Sequence, residues 1–140
     1  MFHISIEGFD GVGKTTICNL LSEKIGFKYI EKPLKFLFDS ENIYINIRNK
    51  INRNSNRTLS AWFYGLSNIF LCENFKNSKV ITDRHILSNY AWSGSEYNED
   101  IFDLILKKIG NPSITFILYA DKDIIYKRLI NRNISDKDLK

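Results

Sequence analysis

Gly8-Phe9-Asp10-Gly11-Val12-Gly13-Lys14-Thr15 satisfies the spacing GxxxxGK[ST], and each residue type has a task in it. The glycines let consecutive backbone N–H groups turn inward around phosphate oxygens, and the start of a following helix adds its dipole. Lys14 would reach the β- and γ-phosphates of a nucleotide, and Thr15 would place its hydroxyl on Mg²⁺. A second cluster, Thr82-Asp83-Arg84-His85, carries a carboxylate able to hold that ion's water shell and an arginine able to clamp another phosphate in bidentate fashion. Taken alone, an Asp-Arg pair at a strand end is more readily a surface ion pair. Its meaning depends on whether the fold brings the two clusters together.

The elements around them predict that it does. Phe2 to Glu7 is a short isoleucine-rich strand running into Gly8, and Thr15 to Ile25 carries Ile17, Leu20, Leu21 and Ile25 at helical spacing. Phe27 to Ile30 reads as a second strand ending near Pro33, and the asparagine-rich stretch Leu34 to Arg57 as helix interrupted by a mobile connection. Leu59 to Phe75 has the length and apolarity of a buried helix, and Lys79 to Asp83 reads as a third strand. A helix over Asp100 to Ile109, a break at Gly110-Asn111-Pro112, a strand over Ile114 to Tyr119 and a helix over Asp123 to Asn131 complete the pattern. Such alternation predicts an α/β fold with a parallel sheet covered on both faces and ligands at the carboxyl ends of its strands. Both clusters fall at that edge.

The bulk numbers agree with one compact domain over residues 1–140. The chain is 44% hydrophobic, contains two prolines, and carries a formal net charge of +4 that is spread rather than gathered in a block. Its basic residues are not interleaved with aromatics in any nucleic-acid-binding module, so a small anionic substrate is the expected partner, with neither nucleic acid nor membrane. Cys18 and Cys72 make no metal-ligand spacing and read as buried thiols of a reducing cytoplasm. No apolar run approaches the roughly 18 residues needed to cross a bilayer, and the N-terminus lacks the pattern of a cleavable leader.

Ile6-Glu7-Gly8-Phe9-Asp10-Gly11-Val12-Gly13-Lys14-Thr15-Thr16 resembles the IEGxDGxGKTT opening of thymidylate kinases. Asp83-Arg84-His85-Ile86-Leu87-Ser88-Asn89-Tyr90-Ala91-Trp92 resembles their DR[YH]xxSxxAY segment, in the expected order and at the expected separation. The resemblance implies a three-layer P-loop kinase fold and ATP-dependent phosphorylation of dTMP to dTDP, with Mg²⁺. It gives the donor phosphates to the loop from Gly8 through Gly11, Val12, Gly13, Lys14, Thr15 and Thr16, and metal support to Thr15 and Asp83. Lys14, Arg84 and Asp10 become the catalytic set, with Arg84 on the acceptor phosphate and Asp10 near that phosphate and the sugar. Ser88 and Asn89 would line the acceptor pocket, Trp92 would pack beneath the deoxyribose, and Phe63 would stack on the base, while Trp62 and Tyr64 read as core. Arg128 and Arg132, in a KRxxxR-like helix, would meet adenine or the donor phosphates, or else simply end an amphipathic helix in basic residues, and Lys137 could replace a lid arginine. Relatives are usually homodimers that pack helices near Leu59 to Phe75.

The departures are specific. Where the family places a base-bonding arginine four residues after the stacking phenylalanine, this chain has Ser67, which leaves the choice of base open. The acidic-proline segment survives only as Glu31-Lys32-Pro33. The family continues past the position of Lys140, so the chain is expected to lack the usual last strand and helix, as a fragment, a shortened relative or a chain completed by a partner. Two alternatives follow: a deoxynucleoside kinase with Glu31 as its base, or a nucleotide-binding protein without turnover. A phosphate acceptor is already ionised at neutral pH, so His85 is not expected to shuttle a proton.

Overall fold

The computed structural model describes residues 1–132. Four strands, β1 (Phe2–Glu7), β2 (Lys28–Ile30), β3 (Lys79–Asp83) and β4 (Ile114–Ile117), form one sheet in the order β2-β3-β1-β4. Every pairing is parallel. Among the described residues six helices accompany them: α1 (Lys14–Ile25), α2 (Glu41–Arg53), α3 (Arg57–Asn74), α4 (Ile86–Ser93), α5 (Glu99–Ile109) and α6 (Lys122–Arg132).

Adjacent side chains of a strand point to opposite faces, and each face here has its own cover. Ile4, Ile6 and Ile81 meet Cys18 of α1 in one cluster, whereas Ile30 and Val80 meet Leu71 of α3 in another. A further apolar cluster, Ala61 with Ile86, Ile101, Phe102 and Ile105, binds α3 to α4 and α5. The result is the three-layer α/β arrangement expected. No described helix is long and apolar enough to cross a membrane.

Register then decides what the carboxyl edge contains. Ile6 stands opposite Asp83 on one side and Phe116 on the other, so the chain leaves β1 and β3 at the same level. The glycine loop and the Asp83-Arg84-His85 segment emerge side by side.

Several expectations need correction. The stretch from Leu34 is a 3₁₀ turn over Pro33–Leu37 followed by a regular helix, α2, whose N-terminus is capped by the Ser40 hydroxyl accepting from the Ile43 N–H at 3.4 Å. Helix α4 occupies a stretch where the sequence pattern showed only the Asp-Arg-His motif. On α1 the apolar residues Ile17, Leu20 and Ile25 are exposed, and it is Lys14 and Cys18 that are buried. Helix α3 is not wholly buried: Leu59, Trp62 and Leu66 form an exposed stripe, Trp62 at 45%, so Trp62 is not core. β4 stops at Ile117 rather than Tyr119, is the edge of the sheet among the described residues, and leaves Ile117 70% exposed. Cys72 is half-buried, while Cys18 is fully so.

Candidate active site

The loop after β1 is shaped by backbone that only glycine adopts readily. Gly8 has φ +137°, and a Cβ there would lie 2.6 Å from the Leu118 carbonyl oxygen. Gly13 caps α1 with φ 104°, which turns the chain directly into the helix and sets Lys14 as its first residue.

Lys14 is buried, and its ammonium donates to the Phe9 carbonyl at 2.8 Å and to Asp10 Oδ1 at 3.3 Å. From the neighbouring strand end, Arg84 Nη2 reaches the same Asp10 Oδ1 at 2.5 Å, and Arg84 Nη1 donates to Ser88 Oγ at 3.1 Å. Thr15 donates its hydroxyl to Asp83 Oδ2 at 2.8 Å. The loop and the Asp-Arg segment therefore interlock through two pairs, one cationic and one built of hard oxygens.

The Thr15 and Asp83 oxygens fit Mg²⁺, which takes one or two protein oxygens and fills its octahedron with water and substrate phosphate. Among the described residues no group of three or more His, Cys, Asp or Glu could hold a metal without such help. Farther along, Arg128 Nη1 donates to the Gly11 and Val12 carbonyls at 3.2 and 3.1 Å, and with the loop and Asn131 it lines a hollow of about 460 Å³. A second hollow of about 390 Å³ lies on the other side, where Asp10 meets Phe9, Trp92, Tyr119 and Lys122.

Other sequence-predicted residues sit apart from this core. Asn89 donates to the Ala61 carbonyl at 3.1 Å and ties α4 to α3. Phe63 belongs to an aromatic group in which Tyr44 stacks on it at 6.3 Å and Tyr64 meets it edge-on at 5.2 Å. Ser67 is buried on α3. Glu31 is paired with Lys32 at 3.0 Å. Thr16 is exposed on the first turn of α1 and lines the Arg128 hollow. Arg132 closes α6, and its side chain, like Lys137, lies outside the described residues.

Burial sets the protonation of the histidines behind the site. His3 and His85 meet edge to face at 4.5 Å, and desolvation lowers their pKa values to about 4 and about 3. Both are neutral at pH 7, and the charge of either would oppose that of the other. Burial raises the Cys18 thiol to about 12, with the nearby Asp83 carboxylate adding to the effect, so this thiol is inert.

Two residues beside the candidate site had no role in the sequence reading, Tyr44 and Glu7. Tyr44 comes from a segment with no recognisable motif, and only tertiary contact reveals it. Glu7 stands in the opening motif with no role assigned to it, yet it is 2% exposed and accepts from the Ser5 hydroxyl, the His85 N–H and the Ser88 hydroxyl.

A parallel sheet whose phosphate loop leads into a helix, with a carboxylate and an arginine at the next strand end, defines the fold of the P-loop kinases, which are phosphotransferases. The thymidylate kinase family model matches residues 6–140, and the chain belongs to that family. It is 32% identical to the thymidylate kinase of Buchnera aphidicola subsp. Baizongia pistaciae over 152 residues, covering 96% of this chain and 71% of that enzyme. It is 25% identical to the deoxyguanosine kinase of Bacillus subtilis, covering 92% of this chain and 66% of the other. In fold it matches deoxyadenosine kinase from M. mycoides with bound dATP, with a TM-score of 0.66 at 20% identity over 99% of this chain and 75% of that one.

Proposed function

We propose that this chain is a single kinase domain that transfers the γ-phosphoryl group of ATP to a deoxynucleoside monophosphate, dTMP foremost, in nucleotide biosynthesis. The observation that carries the reading is the convergence of Lys14 and Arg84 on one oxygen of Asp10. Two cations that close to a single anionic oxygen are spaced to flank a phosphoryl group in transfer.

In this reading Gly8 to Thr16 cradle the donor phosphates, and Lys14 neutralises the oxygens that carry charge in the transition state. Arg84 grips the acceptor phosphate, and Asp10 orients Arg84 and Lys14 until the substrates replace it. Thr15 and Asp83 would hold Mg²⁺, which when bound supplies charge neutralisation for the donor phosphates. Trp92, beside Asp10, would take the sugar, with Ser88, Asn89 and Phe63 toward the base, while Arg128 and Arg132 would serve the donor side. No proton needs to be removed from the acceptor, and the neutral, buried His85 agrees with that.

The exposed stripe Leu59, Trp62 and Leu66 on α3 supports a homodimer, and the two unpaired cysteines suit a reducing cytoplasm. A coupled assay with ATP, Mg²⁺ and each deoxynucleoside monophosphate tests the activity: ADP release with dTMP is expected. A folded chain that binds ATP and turns over none of them rejects it. Ser67 leaves the base open, and the Bacillus relative makes deoxynucleosides a second acceptor class to assay. The pairing of Glu31 with Lys32 argues against a free base for a sugar hydroxyl, so thymidine is expected to be a poor acceptor.

A further inference from the structure

We infer that Glu7 is a positioning residue for the acceptor clamp, acting through Ser88 and the His85 peptide to hold the Arg84 guanidinium in place; this rests on the reading of Arg84 as that clamp. Arg84 has φ 76°, a left-handed conformation that is strained for a residue with a Cβ. Such a conformation persists only where neighbours over-determine it. Here two bonds bracket it: the Arg84 N–H donates to the Ile6 carbonyl at 2.9 Å, and the next peptide N–H, that of His85, donates to Glu7 Oε1 at 2.8 Å.

The side chain is tied to the same carboxylate. The Ser88 hydroxyl donates to Glu7 Oε2, so its oxygen lone pair is left to accept from Arg84 Nη1 at 3.1 Å. The Ser5 hydroxyl holds Glu7 Oε1 from below at 2.7 Å. Glu7 thus fixes the backbone of Arg84 from one oxygen and its guanidinium from the other. A carboxylate is required because it accepts at both oxygens. The amide of glutamine would present donors to a hydroxyl that must itself donate. Glu7 is 2% exposed, with both carboxylate oxygens bonded to Ser5, His85 and Ser88, and acts through those neighbours.

The test uses Glu7→Gln, Ser88→Ala, Ser88→Thr and the Glu7→Gln/Ser88→Ala double variant in the full chain. Losing a charge-assisted bond that orders Arg84 is expected to raise the KM for dTMP about tenfold in Glu7→Gln and in Ser88→Ala, with the KM for ATP unchanged. The double variant is expected to be no worse than either single one, because both break one chain of bonds. Ser88→Thr keeps the hydroxyl that links Glu7 to Arg84 and is expected to hold the KM for dTMP below that of Ser88→Ala. Independently of turnover, the Arg84 Nε–Hε NMR resonance is expected to be sharp in the wild type and to broaden in Glu7→Gln.

The inference is overturned if folded Glu7→Gln keeps the wild-type KM for dTMP, if both KM values rise together, or if the Arg84 resonance is unaltered. Should Glu7→Gln not fold, the Ser88→Ala and Ser88→Thr pair decides by the same readouts. The resonance decides about Glu7 even where the wild-type chain leaves dTMP unphosphorylated, an outcome that counts against the proposed activity alone.

Discussion

Lys14 and Arg84 donate to the same oxygen of Asp10, one from the phosphate loop at 3.3 Å and the other from the end of β3 at 2.5 Å. The two residues belong to separate motifs, and it is the Ile6 to Asp83 register of β1 and β3 that makes them neighbours. If this pair brackets the transferred group, the two cations should fail differently. Lys14→Ala removes charge stabilisation at the transition state and is expected to lower kcat by about 10²–10³. Arg84→Lys keeps the charge but loses the two-pronged grip, so the KM for the acceptor should rise about tenfold with that for ATP unchanged, as steady-state kinetics in each substrate will measure.

Gly8 admits no side chain. With a Cβ 2.6 Å from the Leu118 carbonyl and φ +137°, Gly8→Ala must push the loop away from β4. Titration calorimetry should find ATP binding lost, and the variant should be destabilised by about 1–3 kcal/mol in urea.

The buried histidines make stability pH-dependent. Their folded pKa values, about 4 for His3 and about 3 for His85, lie below the ordinary 6.5, so the unfolded chain binds more protons below that value. The stabilisation is complete above pH 6.5 and is lost as the pH falls toward the folded values, at up to about 1.4 kcal/mol per pH unit for each histidine. Urea midpoints taken between pH 7 and 5 should fall accordingly, and His85→Gln should fall less steeply. Between pH 7 and 8.5 turnover should stay flat in both proteins.

Metal removal should separate catalysis from folding. Mg²⁺ at Thr15 and Asp83 would be held largely by substrate and water, so EDTA is expected to abolish turnover and leave Tm unchanged. Asp83→Asn should raise the Mg²⁺ concentration for half-maximal rate about tenfold or more.

The α3 stripe predicts association. Leu59, Trp62 and Leu66 lie on one side of the helix and are all exposed. Leu66→Glu is expected to convert a dimer to a monomer in light scattering while leaving the circular dichroism of the chain unaltered.

Local signals explain why much of the architecture was readable. The isoleucine-rich strands, the glycine loop and the helix α5 all announce themselves through short-range chemistry. α5 begins with Glu99 and Asp100, carries Lys107 and Lys108 in its last turn and ends at Gly110, each suited to the helix dipole or its cap. The α2 and α4 segments were harder, because their caps are modest and their apolar faces are completed by other elements. α1 misled for the opposite reason: its apolar spacing is regular, yet Ile17, Leu20 and Ile25 face outward, and small Cys18 packs beneath the sheet.

By itself, then, the sequence determined the order of strands and helices, the phosphate loop and the Asp83-Arg84 segment, since these follow from backbone preferences and from residue types at fixed spacing. Only the tertiary structure decided that Arg84 bonds Asp10, that Glu7 holds Arg84 through Ser88, that His3 and His85 share one buried space, and that β4 stands exposed. Those pairings depend on the register between strands, where a shift of one residue would turn every side chain to the opposite face. No short stretch of sequence encodes that register. It is fixed by how the two apolar faces of the sheet fit α1 on one side and α3 on the other.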